Sequence, residues 1–311
     1  MNIKKLFVST AIGALLFTAT IIPAFADSLS INFESPTYTV GNIHGQDGWS
    51  KLGSFDVGVV TNTYGYASFG GQSLRTSDAV TSGSFGDQTF AKPLVNAVGE
   101  VDSTDGTFSR GTLQRHFEMQ FDLASTLATL QSGMHVSVSP DRGDGSRMSY
   151  LRFEDQTDGI HIFFDDVQGT TNPANFVETD IATVSRTPHA IKLTMDTVDG
   201  PSNDVVKVYV DGVLKITGTS WENYYRYDSE SAAEQSPRIV KTIIFRESGS
   251  SNPEDLNNGF LIDNLSLSSG PILIGPPTDK DQCKKPKDAW KLFNNPSFSD
   301  QGACVFYVAS H

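Results

Sequence analysis

Between residues 28 and 268, short runs that alternate apolar with polar residues or are apolar throughout recur between turn residues. The predicted strands are residues 115–122, 135–139, 149–154, 159–165, 190–196, 207–210 and 239–246. Alternation with a period of two puts every second side chain on the same face of a strand. No long segment of residues 28–268 shows helical spacing of apolar residues. The pattern therefore predicts an all-β fold.

The clearest local signal is an Asp-Gly pair at Asp211 and Gly212, between two β-branched runs. Such a pair suits the positive φ angles of a tight turn and predicts a hairpin over residues 207–216. Residues 31–34 and 259–267 share apolar and acidic character, and we expect them to be neighbours in one sheet that closes the sandwich. Glycine- and serine-rich stretches at residues 76–86 and 102–111 are predicted to be loops.

The chain begins with a predicted signal peptide, residues 1–26. Lys4 and Lys5 precede an apolar run that ends in a small-residue processing site at residues 24–26. The protein is therefore expected to be exported and processed. Loss of Lys4 and Lys5 leaves 21 basic residues against 36 acidic ones, a net charge of −15. Such a surface disfavours nucleic acid and anionic membrane partners, and no second apolar segment predicts membrane insertion.

The two cysteines, Cys283 and Cys304, lie near the C-terminus. In an exported chain an even number of cysteines predicts a disulfide. A proline- and glycine-rich linker at residues 269–279 separates the main domain, residues 27–268, from this stapled segment, residues 280–311.

Gly45, Gly48 and Trp49, shortly after the first strand, together with the similar first and last strands, resemble secreted concanavalin-like jelly-roll domains, which include lectins and glucanases. The resemblance implies a two-sheet jelly-roll β-sandwich. In the laminarinase-type glucanases the catalytic carboxylates follow a Glu-x-Asp-x-x-Glu pattern on one strand face. That pattern is absent here, so a non-catalytic domain is expected.

An aromatic segment offers the best candidate for ligand binding. Its members are Trp221, Tyr224, Tyr225, Arg226 and Tyr227. Aromatic rings stack on the apolar faces of sugars, and neighbouring polar groups hydrogen-bond the hydroxyls. The alternative is that these rings only plug one end of the sandwich.

Two acids predict a structural calcium ion. Phe33-Glu34, Gly48-Trp49 and Ile262-Asp263-Asn264 resemble calcium-bearing jelly-roll carbohydrate-binding modules and extracellular MAM adhesion domains. By that resemblance Glu34 and Asp263 would lie beside one Ca²⁺, whose preferred ligands are oxygens. The alternative is that Asp263 caps a strand and Glu34 faces water.

The tail resembles a small cysteine-containing motif at the C-terminus of bacterial exported proteins, although residues 287–289 replace its usual paired glycines. Its size predicts two short stapled helices around a small core of Trp290, Phe293, Phe298 and Phe306.

Together these features predict an exported carbohydrate-binding or cell-surface recognition protein that acts without catalysis. Two alternatives stay open. One is a glycan hydrolase or lyase with an unrecognised set of catalytic residues, and the other is a structural or adhesive envelope protein.

Overall fold

The computed structural model describes residues 27–82, 86–95, 115–198, 200–234, 240–247, 251–270, 272, 274–285 and 287–311. The predicted signal peptide and the predicted loop at residues 102–111 lie outside these ranges. No described helix is long and apolar enough to cross a membrane.

The described residues form mainly β-strands. These are β1 (Asp27–Ile31), β2 (Gly41–Asn42), β3 (Ser50–Leu52), β4 (Phe55–Thr61), β5 (Gln72–Thr81), β6 (Gln88–Phe90), β7 (His116–Ser125), β8 (His135–Asp141), β9 (Leu151–Gln156), β10 (Gly159–Gln168), β11 (Asn175–Val184), β12 (His189–Asp196), β13 (Val205–Val210), β14 (Val213–Gly218), β15 (Thr242–Arg246) and β16 (Phe260–Gly270). The α-helices are α1 (Glu222–Tyr227) and α2 (Gln301–Ser310), and 3-10 helices occur at Ala67–Phe69, Ser229–Glu234, Pro253–Asp255 and Ala289–Leu292.

The strands build two antiparallel sheets. The first has the order β14-β13-β12-β7-β16-β5-β4-β2, with β1 also paired to β16, and the second has the order β11-β10-β9-β8-β15-β6-β3. Aromatic rings join the two sheets, since Phe121 of the first contacts Phe153 at 5.9 Å and Phe245 at 6.5 Å in the second. Trp49 stacks on Phe245 at 6.0 Å and is buried, as expected for a core residue. The predicted concanavalin-like jelly-roll sandwich is confirmed.

The first and last strands of the sandwich are neighbours, as the sequence predicts. In the pairing of β1 with β16, Asp27 lies opposite Ser269 and Ile31 opposite Leu265. The first strand ends at Ile31, earlier than predicted, because Phe33 has a φ of 56° and turns its ring into the core.

The hairpin of β13 and β14 is also confirmed. Its turn residues, Asp211 and Gly212, have φ angles of 51° and 76°, as a type I′ turn requires. The Asp211 carboxylate also accepts a hydrogen bond from the Ala190 amide at 3.0 Å, which ties the turn to β12.

The prediction of a loop at residues 76–86 is wrong for its first half. Residues up to Thr81 belong to β5, which pairs with β4 on one side and with β16 on the other. Thr76 and Ser77 are buried there despite their polar side chains. A central position in a sheet satisfies their backbone groups and overrides weak local strand propensity.

The tail contains the predicted disulfide between Cys283 and Cys304. Phe298 contacts both Phe293 at 6.1 Å and Tyr307 at 5.6 Å. The prediction that Phe306 belongs to this small core is wrong, because its side chain points outward from α2 and is 73% exposed. Tyr307, the next residue on the helix, takes that place.

Candidate functional site

The aromatic segment forms helix α1 and is anchored on the second sheet. The Trp221 amide donates a hydrogen bond to the Met148 carbonyl at 2.8 Å, and the indole N–H donates one to the Asp165 carbonyl at 2.9 Å. The indole also stacks on Tyr150, with ring centres 5.6 Å apart and planes 17° apart. These contacts fix the helix beside the ends of β9 and β10.

Trp221 is only 9% exposed, and Tyr225 is buried with it in the main core. These two rings therefore pack against the sandwich, which is the role that the alternative to ligand binding gives them. Tyr224 is half-buried, and its ring contacts both Trp221 and Tyr225. The helix thus combines a packing role with an aromatic edge that reaches the surface.

A cavity of about 450 Å³ lies between α1 and the second sheet. Its lining consists of Gly145, Arg147, Asp165, Phe176, Trp221, Tyr224, Tyr225 and Glu230. The structure therefore brings together three of the predicted binding residues, Trp221, Tyr224 and Tyr225. Ligand pockets typically have this volume and this mixture of aromatic rings with a few polar groups.

Phe176 of β11 completes the aromatic wall. Its ring lies edge-on to Trp221 at 5.0 Å and contacts Tyr224 at 5.4 Å. The side chain is 41% exposed, so much of its surface stays open to solvent. Sequence reasoning missed Phe176, although an aromatic residue in an otherwise polar, exposed strand was a signal that could have been used.

Arg226 and Tyr227 lie outside the cavity lining. The Arg226 guanidinium donates from Nε to Glu222 Oε1 at 2.8 Å, one turn earlier on α1. Tyr227, at the end of the helix, is exposed. The Arg226–Glu222 ion pair supports the helix, and neither residue faces the cavity with the other predicted binding residues.

Asp165 places a carboxyl group on the cavity wall. Its Oδ1 atom is buried and makes no hydrogen bond to any residue that the structure describes. Burial raises the pKa of this carboxyl to about 6, and the negative charges of Glu178 and Asp166 add to the effect. A carboxyl group with such a pKa can donate or accept a proton near neutral pH.

Arg147 places a cation on the same wall. It is 3% exposed, and its guanidinium carbon lies 6.0 Å from the centre of the Tyr150 ring. Burial lowers the pKa of the Arg147 guanidinium, and the positive charge of Arg246 lowers it further. The cavity therefore offers a cation and an acid next to aromatic rings.

The predicted calcium ligands lie at the opposite sheet, where β16 bulges next to β7. Asp263 is 1% exposed, and burial together with repulsion from Glu34 and Asp122 raises its pKa to about 8. Glu34 Oε1 accepts hydrogen bonds from the amides of Gly71 at 2.5 Å and Gln72 at 3.2 Å. Within the described ranges, no group of three or more His, Cys, Asp or Glu side chains is arranged to hold a metal ion.

Comparisons with known proteins find similarity among solved structures. No protein-family model and no curated protein matches the sequence. Among solved structures it is similar to a carbohydrate esterase from the Shiga toxin-encoding bacteriophage phi24B, with 14% identity, TM-score 0.41 and coverage of 78% of this chain and 97% of that one. It is also similar to the carbohydrate recognition domain of Emp46p, with 11% identity, TM-score 0.38 and coverage of 78% and 96%, and to alginate lyase A1-II′ of polysaccharide lyase family 7, with 12% identity, TM-score 0.36 and coverage of 73% and 96%.

The protein is thus a concanavalin-like jelly-roll β-sandwich with an aromatic-lined cavity and a disulfide-stapled tail. Disulfides are typical of proteins in oxidising, extracytoplasmic compartments.

Proposed function

We propose that the cavity beside α1 binds a glycan. The observation that carries this proposal is the aromatic wall of Phe176, Trp221 and Tyr224 in a cavity that polar side chains also line. Sugar rings have apolar C–H faces and polar rims, so they suit a wall of this composition.

The three rings make different contributions. Trp221 is nearly buried, and its main role is to hold the wall in place against Tyr150. Phe176 and Tyr224 carry the accessible aromatic surface. Because only this limited surface stacks on the sugar and polar groups must lose water, a single site should bind with a Kd of about 1 μM to 1 mM.

Arg147 and Asp165 supply the hydrogen bonds that orient the sugar. A guanidinium donates to hydroxyl or carboxylate oxygens, while a carboxyl group near its pKa both donates and accepts. Both side chains line the cavity, and both are held by secondary structure or the turn that follows β8. This rigid placement favours binding, since few groups lose freedom when the ligand arrives.

The test is a glycan-array screen of the processed chain, followed by titration of each positive glycan. Phe176→Ala should weaken binding at least tenfold, because it removes the most exposed ring of the wall without opening the core. Phe306→Ala is the matched control, since it removes an exposed phenylalanine of the tail that does not line the cavity. Equal binding by both variants would contradict the proposal, as would a folded wild-type protein that binds no glycan.

We also propose that Glu34 and Asp263 help to bind a structural Ca²⁺. The donors at this position are all oxygens, and a buried carboxyl close to two other acids gains most from a cation. Asn264 orients the site, because its amide nitrogen donates to Asp122 Oδ2 at 2.8 Å and to the Ser68 carbonyl at 2.9 Å. The remaining ligands would be backbone carbonyls, amide oxygens or water.

Calcium titration followed by calorimetry tests this second proposal. Wild-type protein should bind one ion, and Asp263→Asn should abolish binding. The Ca²⁺ site is independent of the glycan cavity, so either proposal can fail without the other.

A further inference from the structure

A pair of carboxyl groups stands side by side at the edge of the glycan cavity. In the pairing of β10 with β11, Asp165 lies directly opposite Glu178. Directly opposed residues of antiparallel strands point to the same face, with Cβ atoms about 4.5–5.5 Å apart. Phe176, two residues before Glu178 on the same face of β11, lines the cavity with Asp165.

The two carboxyl groups have different surroundings. Glu178 accepts two parallel hydrogen bonds of 2.8 Å from Nε and Nη2 of Arg152, a geometry that binds a carboxylate. Asp165, in contrast, has a buried Oδ1 atom with no hydrogen-bond partner among the described residues. Burial and the charge of Glu178 favour its protonated form, since they raise its pKa to about 6. Neighbouring carboxyl groups whose environments differ in this way take opposite roles as acid and base.

We propose that Asp165 and Glu178 are the acid and the nucleophile of a glycoside hydrolase, an inference that rests on the proposed glycan binding. Two carboxyl groups at close range are the arrangement that hydrolysis with retention of configuration requires, in which they lie about 5–5.5 Å apart. Asp165 and Glu178 lie on two adjacent strands, whereas the Glu-x-Asp-x-x-Glu pattern, which this sequence lacks, places its carboxylates on a single strand.

In the first step the Asp165 carboxyl gives its proton to the glycosidic oxygen. The bond between that oxygen and the anomeric carbon breaks, a Glu178 oxygen bonds to the anomeric carbon, and the alcohol half of the glycan leaves with the proton. In the second step a water molecule attacks the anomeric carbon and the bond to Glu178 breaks. The Asp165 carboxylate takes one proton from that water, which restores both side chains.

Arg152 acts as a positioning residue for Glu178. Its guanidinium also lies 4.0 Å from the centre of the Phe163 ring, so it is held between the aromatic ring and the two oxygens of Glu178. This arrangement fixes the orientation of the Glu178 carboxylate on β11.

The experiment measures binding and reducing-end release together on one panel of laminarin, barley β-glucan, xylan, galactomannan and arabinogalactan. Wild-type protein should release reducing ends from a glycan that it binds, with activity falling as the pH rises above about 6. Asp165→Asn and Glu178→Gln should each lose at least about 100-fold in rate while binding is retained. Asp180→Asn, which removes an acid from the same face of β11 away from the cavity, should stay within twofold of wild type.

The outcomes separate this proposal from glycan binding. If the protein binds a glycan but releases no reducing ends, the hydrolase proposal is overturned and the binding proposal stands. If the protein shows no binding and no release with any glycan of the panel or the array, both proposals are overturned. Release that survives in both Asp165→Asn and Glu178→Gln overturns the assignment of residues. For Glu178→Ala, azide should restore turnover and yield a glycosyl azide, and failure of this rescue with the active wild-type substrate overturns the nucleophilic role.

Discussion

Replacing Asp165 with asparagine should make the protein more stable at neutral pH. The carboxyl is partly buried beside Glu178 and Asp166, and this environment raises its pKa from 3.8 to about 6. An acid whose pKa is raised by folding costs stability once the pH exceeds its pKa in the unfolded chain, and this cost grows until the pH passes the folded pKa. Asparagine has nearly the same shape and no charge, so the variant avoids the cost.

The size of the effect follows from the pKa shift. A shift of about 2 units corresponds to about 3 kcal/mol at pH 7, at about 1.36 kcal/mol for each unit. Asp165 is partly open to solvent, and screening reduces the effect to about 1.5 kcal/mol. For a domain of this size such a gain raises the Tm by about 3–6 °C.

Thermal unfolding of wild type and Asp165→Asn at several pH values between about 4 and 8 measures the effect. The two proteins should have similar Tm values at the acidic end and diverge with rising pH until about pH 7. Glu254→Gln serves as the control, because it removes an exposed acid that does not line the cavity and should change stability by less than about 0.5 kcal/mol. A variant that is less stable than wild type at pH 7, or equally stabilised at every pH, would refute the reasoning.

Three further predictions concern the calcium site, the aromatic wall and the tail. Calcium should raise the Tm of wild type in differential scanning calorimetry and leave the Tm of Asp263→Asn unchanged. Without calcium, Asp263→Asn should be more stable than wild type at pH 9, because wild type then carries a buried negative charge at Asp263 and the variant does not. Trp221→Ala should lower the free energy of unfolding by about 3 kcal/mol or more, and the exposed Phe176→Ala by about 1 kcal/mol or less, as measured in urea. Reduction of the bond between Cys283 and Cys304 should let limited proteolysis remove the tail while the Tm of the sandwich stays within about 1 °C, as followed by mass spectrometry and calorimetry.

The sequence predicts those parts of the fold that depend on local signals. The turn at Asp211 and Gly212 needs two adjacent positive φ angles, and only a few residue pairs provide them at low cost. The cluster of aromatic residues in a polar segment singled out Trp221 and Tyr224 as candidate binding residues, and both line the cavity, whereas helix α1 itself was not predicted. The disulfide followed from two cysteines in a chain expected to be exported.

The acid pair was beyond sequence reasoning because it depends on strand register. The ladder between β10 and β11 shifts at Ile162 and Phe163, and this bulge sets which residue of β11 faces Asp165. A slip of one residue would turn Glu178 to the other face of the sheet. The same limit applies to Phe306 and Tyr307, since the orientation of α2 about its own axis decides which ring joins the core of the tail.

The most direct test of glycan binding is a calorimetric titration of the processed chain with the strongest glycan from the array, repeated with Phe176→Ala and Phe306→Ala. The account predicts saturable binding by wild type and by Phe306→Ala, and at least tenfold weaker binding by Phe176→Ala. Unchanged binding by Phe176→Ala would place the ligand elsewhere on the molecule and contradict the account.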